Sequence, residues 1–175
     1  MRALCLLPIV LLGLAGTASA ENKFFPKKDP MTDAVGGNAI LNMSGTVLPA
    51  VTCAPAPATE HHLNVAFFSK QDLGYLGEQA GTVKVRIDGG APFDLTGTYT
   101  PQGILVEAGA KPGSPGGQLL DKFRTAKHMV VQLAASDGSA VTDDFDLGND
   151  AASTIDQAVT VCHDPAWAKA AKSSR

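Results

Sequence analysis

The sequence has no apolar run of membrane-spanning length, no cluster of basic residues and no short-spaced group of cysteines. A membrane helix needs about 20 consecutive apolar residues, so stable membrane insertion is not expected of residues 21–175. The formal net charge is −3, and without a basic patch to neutralise phosphates nucleic acid is not expected as a partner. C-x-x-C and the short ligand spacings of zinc sites are missing. So is G-x-S-x-G, the turn that exposes a serine nucleophile. No glycine-rich loop lies between a strand and a helix, so no phosphate cradle is indicated. No internal repeat is visible. These absences argue against a familiar catalytic centre, and neither enzyme activity nor a cofactor is expected.

What is present begins with residues 1–20. Arg2 supplies a positive charge and residues 6–14 (LLPIVLLGL) are uninterrupted apolar sequence, followed by Ala18-Ser19-Ala20. That is the order of a bacterial-type secretory signal with an A-x-A cleavage site. The run is too short to span a bilayer, and Cys5 lies inside it, away from the cleavage point, which speaks against a lipid-modified cysteine. The expected mature chain starts at Glu21, holds 155 residues and, having lost Arg2, carries a formal charge of −4. That length suits one domain with a real core.

Removal of the leader leaves two cysteines, Cys53 and Cys162. An even count in an oxidising compartment favours a disulfide, and only one pairing exists. A structural bridge between them is therefore expected, and it would take both thiols out of nucleophilic chemistry.

Residues 21–38 hold two prolines, two adjacent glycines and mixed charges without periodicity, and are read as a flexible lead-in with Phe24-Phe25 as its one sticky feature. A single β-rich domain is expected over residues 39–165, followed by a flexible tail, 166–175. Its first strand is expected from the alternation of Leu41, Met43, Gly45 and Val47, ending in the proline-rich stretch around Cys53. Leu63, Val65 and Phe67 give a second strand. Val83, Val85 and Ile87, then Asp88-Gly89-Gly90, then Phe93, Leu95, Gly97 and Tyr99 spell a hairpin. Another strand is expected from Ile104 to Ala108. Residues 109–117 read as a loop, with a short helix carrying Leu119, Leu120 and Phe123 behind it. Met129, Val131 and Leu133 form a strand, which turns at Asp137-Gly138 into residues 141–147. A last helix, capped by Asn149 or Asp150, places Ile155, Val159 and Cys162 on one face. About seven strands, two short helices and no βαβ alternation predict an antiparallel sheet curled into a sandwich or open barrel. The C-terminal helix packs on it, and one disulfide closes it.

Histidines and acids are the groups to weigh for chemistry. Glu60 and His62 share a face if their segment opens a strand, and His128 or His163 would have to complete a metal site from elsewhere. Nothing in the spacing requires one. Asp143-Asp144-Phe145-Asp146 lacks the D-x-D-x-D-G order of a calcium loop and reads as a charged edge strand that discourages edge-to-edge pairing. Ser114 sits in a Gly-Ser-Pro-Gly loop. Exposed aromatics are what protein interfaces use, and Phe68, Tyr75 and Trp167 are the candidates for contact with a partner.

Several of these features occur in the order seen in a group of small proteobacterial periplasmic proteins. They are Leu48-Pro49-Ala50-Val51-Thr52-Cys53 after the first strand, a V-x-V-x-I-D-G hairpin (Val83 to Gly89), and Leu119-Leu120-Asp121-Lys122-Phe123 running into a strand. Phe145-Asp146-Leu147-Gly148 and a helix ending in the second cysteine complete them. From Leu48 to Cys162 the chain resembles the invasion-associated locus B family. The resemblance implies a non-enzymatic role in host interaction or envelope function, with no catalytic residues. Over a shorter span, Ile40-Leu41-Asn42-Met43-Ser44-Gly45-Thr46-Val47 with Cys53 six residues later looks like the first strand of a chaperone–usher pilus subunit. Together these readings point to a periplasmic, or secreted, module that binds another envelope or secreted protein, as inhibitor, immunity partner or accessory. The alternatives are a metal-handling protein and a pilus-like structural protein.

Overall fold

The computed structural model describes residues 21–54, 63–106 and 112–162. The strands are β1 (Lys23–Lys28), β2 (Val35–Ile40), β3 (Val47–Cys53), β4 (Asn64–Ser69), β5 (Gln79–Ile87), β6 (Phe93–Thr100), β7 (Gly103–Val106), β8 (His128–Ala134) and β9 (Ala140–Asp146). Two helices, α1 (Pro115–Thr125) and α2 (Ala151–Cys162), stand before β8 and after β9. The nine strands among the described residues form one open antiparallel sheet in the order β1-β2-β3-β4-β7-β6-β5-β8-β9. The expected mainly-β architecture is thus present as a single curled sheet. Residues 1–20, expected as a leader, and 166–175, expected as a tail, fall outside the described residues.

The N-terminal part differs from expectation. The stretch read as a flexible lead-in carries β1 and most of β2, a hairpin paired from Lys23↔Ile40 to Lys28↔Val35. Its signal was hidden because Gly36 and Gly37 fill buried positions of β2, where glycine looks like a turn. A side chain at Gly37 would collide with the Phe24 ring and the Phe25 carbonyl. The alternation over residues 41–47 does not form a strand. Asn42 adopts a positive φ of 56° and its carbonyl accepts from Gly45 N, which turns the chain. The strand instead starts at Val47, runs through Pro49 and ends at Cys53, where the proline-rich stretch was expected to stop it. Pro49 sits where β2 departs, and its carbonyl still accepts from Leu41 N, so the missing N–H costs only a terminal rung.

Elsewhere local chemistry and fold agree. The β5–β6 turn takes Asp88 at φ 48° and Gly89 at 72°, the two positive values a tight hairpin needs. Helix α1 begins two residues earlier than Gly117, the last residue of the expected loop. Ser114 is its N-cap, accepting from Gly117 N through Oγ, and Pro115 occupies the first turn, where its absent N–H is no loss. Asp150 precedes α2 and its carbonyl accepts from Thr154 N. Its carboxylate, however, faces Asn22.

One face of the sheet forms the core. Val51, Val65, Phe67, Ile104, Tyr99, Val83, Val131 and Met129 are all essentially buried, in one cluster with Leu119, Leu120 and Phe123 of α1. Phe67 and Phe123 pack edge to face, 6.2 Å apart. Helix α2 lies on β1, β2 and β3 and against α1, burying Ala151, Thr154, Ile155, Ala158 and Cys162. Cys53 and Cys162 form the expected disulfide, with Cα atoms 6.2 Å apart across 109 residues.

Polar contacts hold the curl closed. Asp143 Oδ2 on β9 accepts from the backbone N–H of Thr46 (2.6 Å) and Val47 (2.8 Å) and from Asn42 Nδ2 (3.1 Å), joining the last strand to the entry of β3. Asn22, itself buried, donates to the Leu147 carbonyl and to Asp150 and accepts from Asn42 N.

A third tie has a pH signature. Asp88 Oδ1 accepts from Lys127 N (2.9 Å) and His128 N (3.0 Å). These bonds, His128 first, hold its carboxyl below the ordinary 3.8. A depressed acid stabilises the fold fully above its unfolded pKa and progressively less as pH falls through its folded one. Urea midpoints of wild type and Asp88→Asn should therefore differ at neutral pH and converge as pH falls through the carboxyl's lowered folded-state pKa. An equal gap at both pH values would contradict this.

Candidate protein-binding face

In a strand, alternate side chains point to opposite faces, and residues paired across strands share a face. Opposite the core, this places Ile40, Ala50, Ala66 and Leu105 in one continuous cross-strand row over β2, β3, β4 and β7. Leu48 and Phe68 form the next row, and Phe25 of β1 stands on the same face. Both helices lie on the other side of the sheet. Leu105 is 44% exposed and Phe25 36%. Ile40, Leu48 and Phe68 are half-buried and the two small alanines between them are covered. Phe68 pairs with Gly103, where any side chain would collide with the Phe67 carbonyl, so nothing on β7 flanks the Phe68 ring in that row. The result is an apolar, side-chain-rich strip on a rigid scaffold. Toward β5, β6, β8 and β9 the same face turns polar with Lys84, Arg86, Asp94, Thr96 and Asp144.

The aromatic candidates separate. Phe68 is on this strip. Tyr75 is not a free anchor: its ring stacks on Tyr99 at 4.8 Å and its hydroxyl reaches the Ala134 carbonyl at 3.4 Å. Tyr99 donates to the Thr82 carbonyl and accepts from Ala134 N, and burial pushes its hydroxyl pKa up, so the pair is a packed support. Trp167 lies outside the described residues. The sequence reading missed Ile40 and Leu105. Its overlooked signal was continuity, since Ala39-Ile40-Leu41 and Ile104-Leu105-Val106 are apolar at successive positions, which puts apolar groups on both faces of the sheet.

The polar candidates meet only in part. His128 opens β8, and its Nε2 lies 2.6 Å from Asp144 Oδ1 on β9. Beside them is an open depression of about 570 Å³ lined by Asn42, Ser44, Gly45 and Asp143 to Asp146. Glu60, His62 and His163 are outside the described residues, and among the described residues no group of three or more His, Cys, Asp or Glu side chains is placed to hold a metal ion. The acidic stretch is an edge strand, as expected. Asp143 is the exception, since its carboxylate is turned inward onto three donors. No helix among the described residues is long and apolar enough to cross a membrane.

No protein-family model matches the chain, and neither a curated protein nor a solved structure matches it.

Proposed function

We propose that this chain is an exported, non-catalytic protein-binding module that meets another envelope or secreted protein through the outer face of β2, β3, β4 and β7. The observation that carries the reading is the Ile40-Ala50-Ala66-Leu105 row with Leu48 and Phe68 beside it. Partly exposed apolar side chains grouped on a rigid sheet are the material of an interface. The bridge between Cys53 and Cys162 suits an oxidising compartment, in keeping with a leader cut after Ala20. Such a cut leaves the Asn22 ties intact. The pattern-level resemblance to the invasion-associated locus B family favours the same assignment, periplasmic or secreted.

The test places a photo-crosslinking side chain at Leu105 and, as a control on the polar half of the same face, at Thr96. Position 105 should give a discrete crosslinked species in envelope material, and position 96 should not. Leu105→Asp should weaken capture of that species at least about tenfold, or roughly 1.4 kcal/mol, while shifting the fold's stability by less than about 1 kcal/mol. Equal crosslinking at both positions would overturn the assigned face. N-terminal sequencing of the same material should begin at Glu21; a retained leader or a lipid adduct would overturn export as a soluble protein.

A further inference from the structure

Among the described residues β1 and β9 each pair with a neighbour on one side only, and the two edges carry opposite charge. Strand β1, Lys-Phe-Phe-Pro-Lys-Lys, has three cations and no acid, whereas β9, Ala-Val-Thr-Asp-Asp-Phe-Asp, has three acids and no cation. The strands have similar lengths, six and seven residues. On β1, Lys23 and Lys27 flank the part-exposed Phe25, with the Lys23 ammonium 5.4 Å from the ring centre. On β9, Asp144 and Asp146 share one face and border an open depression whose far wall is Asn42, Ser44 and Gly45 of the loop before β3.

We propose that these edges are the two halves of one contact, in which β9 of one copy lies against β1 of a second copy of this chain. Like edges repel, since Lys would face Lys or Asp would face Asp. Charge at a sheet edge ordinarily blocks self-pairing, and here it blocks only the like-with-like combinations. The unlike combination joins different surfaces on the two copies, so it is head-to-tail and leaves a free edge at each end for further copies. Backbone pairing adds little. Pro26 has no N–H to give, and the Asp144 N–H is already donated to Asp143 Oδ1 (3.0 Å). Side-chain charge therefore sets the affinity, and the association is weak and sensitive to salt. The contact adjoins the apolar outer strip, since Lys23 pairs with Ile40, but it uses the edge charges and stands whether or not that strip binds a partner.

Sedimentation velocity on the purified, disulfide-bonded protein tests it. The weight-average mass should rise with concentration at about 20 mM salt and return to the monomer value at about 0.5 M, where the screening length is only a few ångströms. Lys23→Glu/Lys27→Glu leaves both edges acidic, and Asp144→Lys/Asp146→Lys leaves both basic. Each variant alone should stay monomeric at low salt, with an unchanged far-ultraviolet circular dichroism spectrum. A one-to-one mixture of the two should associate again, because each edge of one variant then meets an oppositely charged edge of the other, the native β9–β1 combination included. That rescue cannot come from misfolded variants. A monomer at every concentration and salt would overturn the proposal. So would association that persists in both single variants, or a mixture that stays monomeric.

Discussion

Replacing Cys53 or Cys162 by serine should cost about 2–5 kcal/mol of stability, the usual loss for a native bridge. The bridge closes 109 residues of sequence, and a loop of that order loses several kcal/mol of denatured-state entropy in the chain-entropy picture. Its position in the fold adds to the effect. Helix α2 buries mostly small groups, Ala151, Thr154 and Ala158, with Ile155 its one fully buried large side chain. Its hold on the sheet therefore leans on the covalent link at its last residue. Both sulfur-bearing residues are buried, so each serine also brings a hydroxyl into an apolar site. The two single variants and the double variant should nevertheless unfold at similar urea concentrations, because each lacks the same cross-link. Free-thiol titration of the unfolded, unreduced wild type should find neither Cys53 nor Cys162. Two titratable thiols there, or unchanged midpoints in the variants, would remove the staple from this account.

Asp143→Ala should cost about 2–3 kcal/mol, and for a domain of this size that is a melting-temperature drop of roughly 5–10 °C. The carboxylate satisfies two backbone N–H groups and one side-chain amide across the seam between β9 and the entry of β3, and the N–H of its neighbour Asp144 besides. Alanine leaves those donors to find water in a partly closed site. The same seam is crowded: a side chain at Gly45 would run into Asn42 and Asp143. Asp143→Asn should lose less, since its amide oxygen still accepts but its NH₂ faces other donors. Asp144→Ala, one position away and exposed, removes only the surface contact with His128 and should stay within about 0.5 kcal/mol of wild type. Thermal melts of the three variants decide the matter. If Asp143→Ala and Asp144→Ala behave alike, the seam is held by something other than this carboxylate.

The contrast between these neighbouring aspartates shows where a sequence stops being legible. Period-two alternation marked β5, β6, β8 and β9 because each buries one face and wets the other. The same alternation puts Asp143 on the side of β9 that Phe145 buries. What it does there, accepting from Asn42, Thr46 and Val47, depends on a loop about a hundred residues away. Alternation also misled once, over residues 41–47, where the positive φ of Asn42 bends the chain into the loop that Asp143 receives.

By itself, the sequence determined the antiparallel mainly-β class, the Cys53–Cys162 pairing, the β5–β6 hairpin and the α2 stripe. Each of these follows from short-range periodicity, turn chemistry or simple counting, which do not need a partner strand to be known. Only the tertiary structure decided that residues 23–40 form a hairpin, because glycine-rich β2 has no pattern of its own until β1, β3 and α2 cover it. Only the structure decided that Ile40, Ala50, Ala66 and Leu105 share a row, because that depends on the register of four strands. The outer strip and the opposed charges of the two sheet edges are likewise properties of strand order. Strand order is set by which apolar faces bury together across the whole chain.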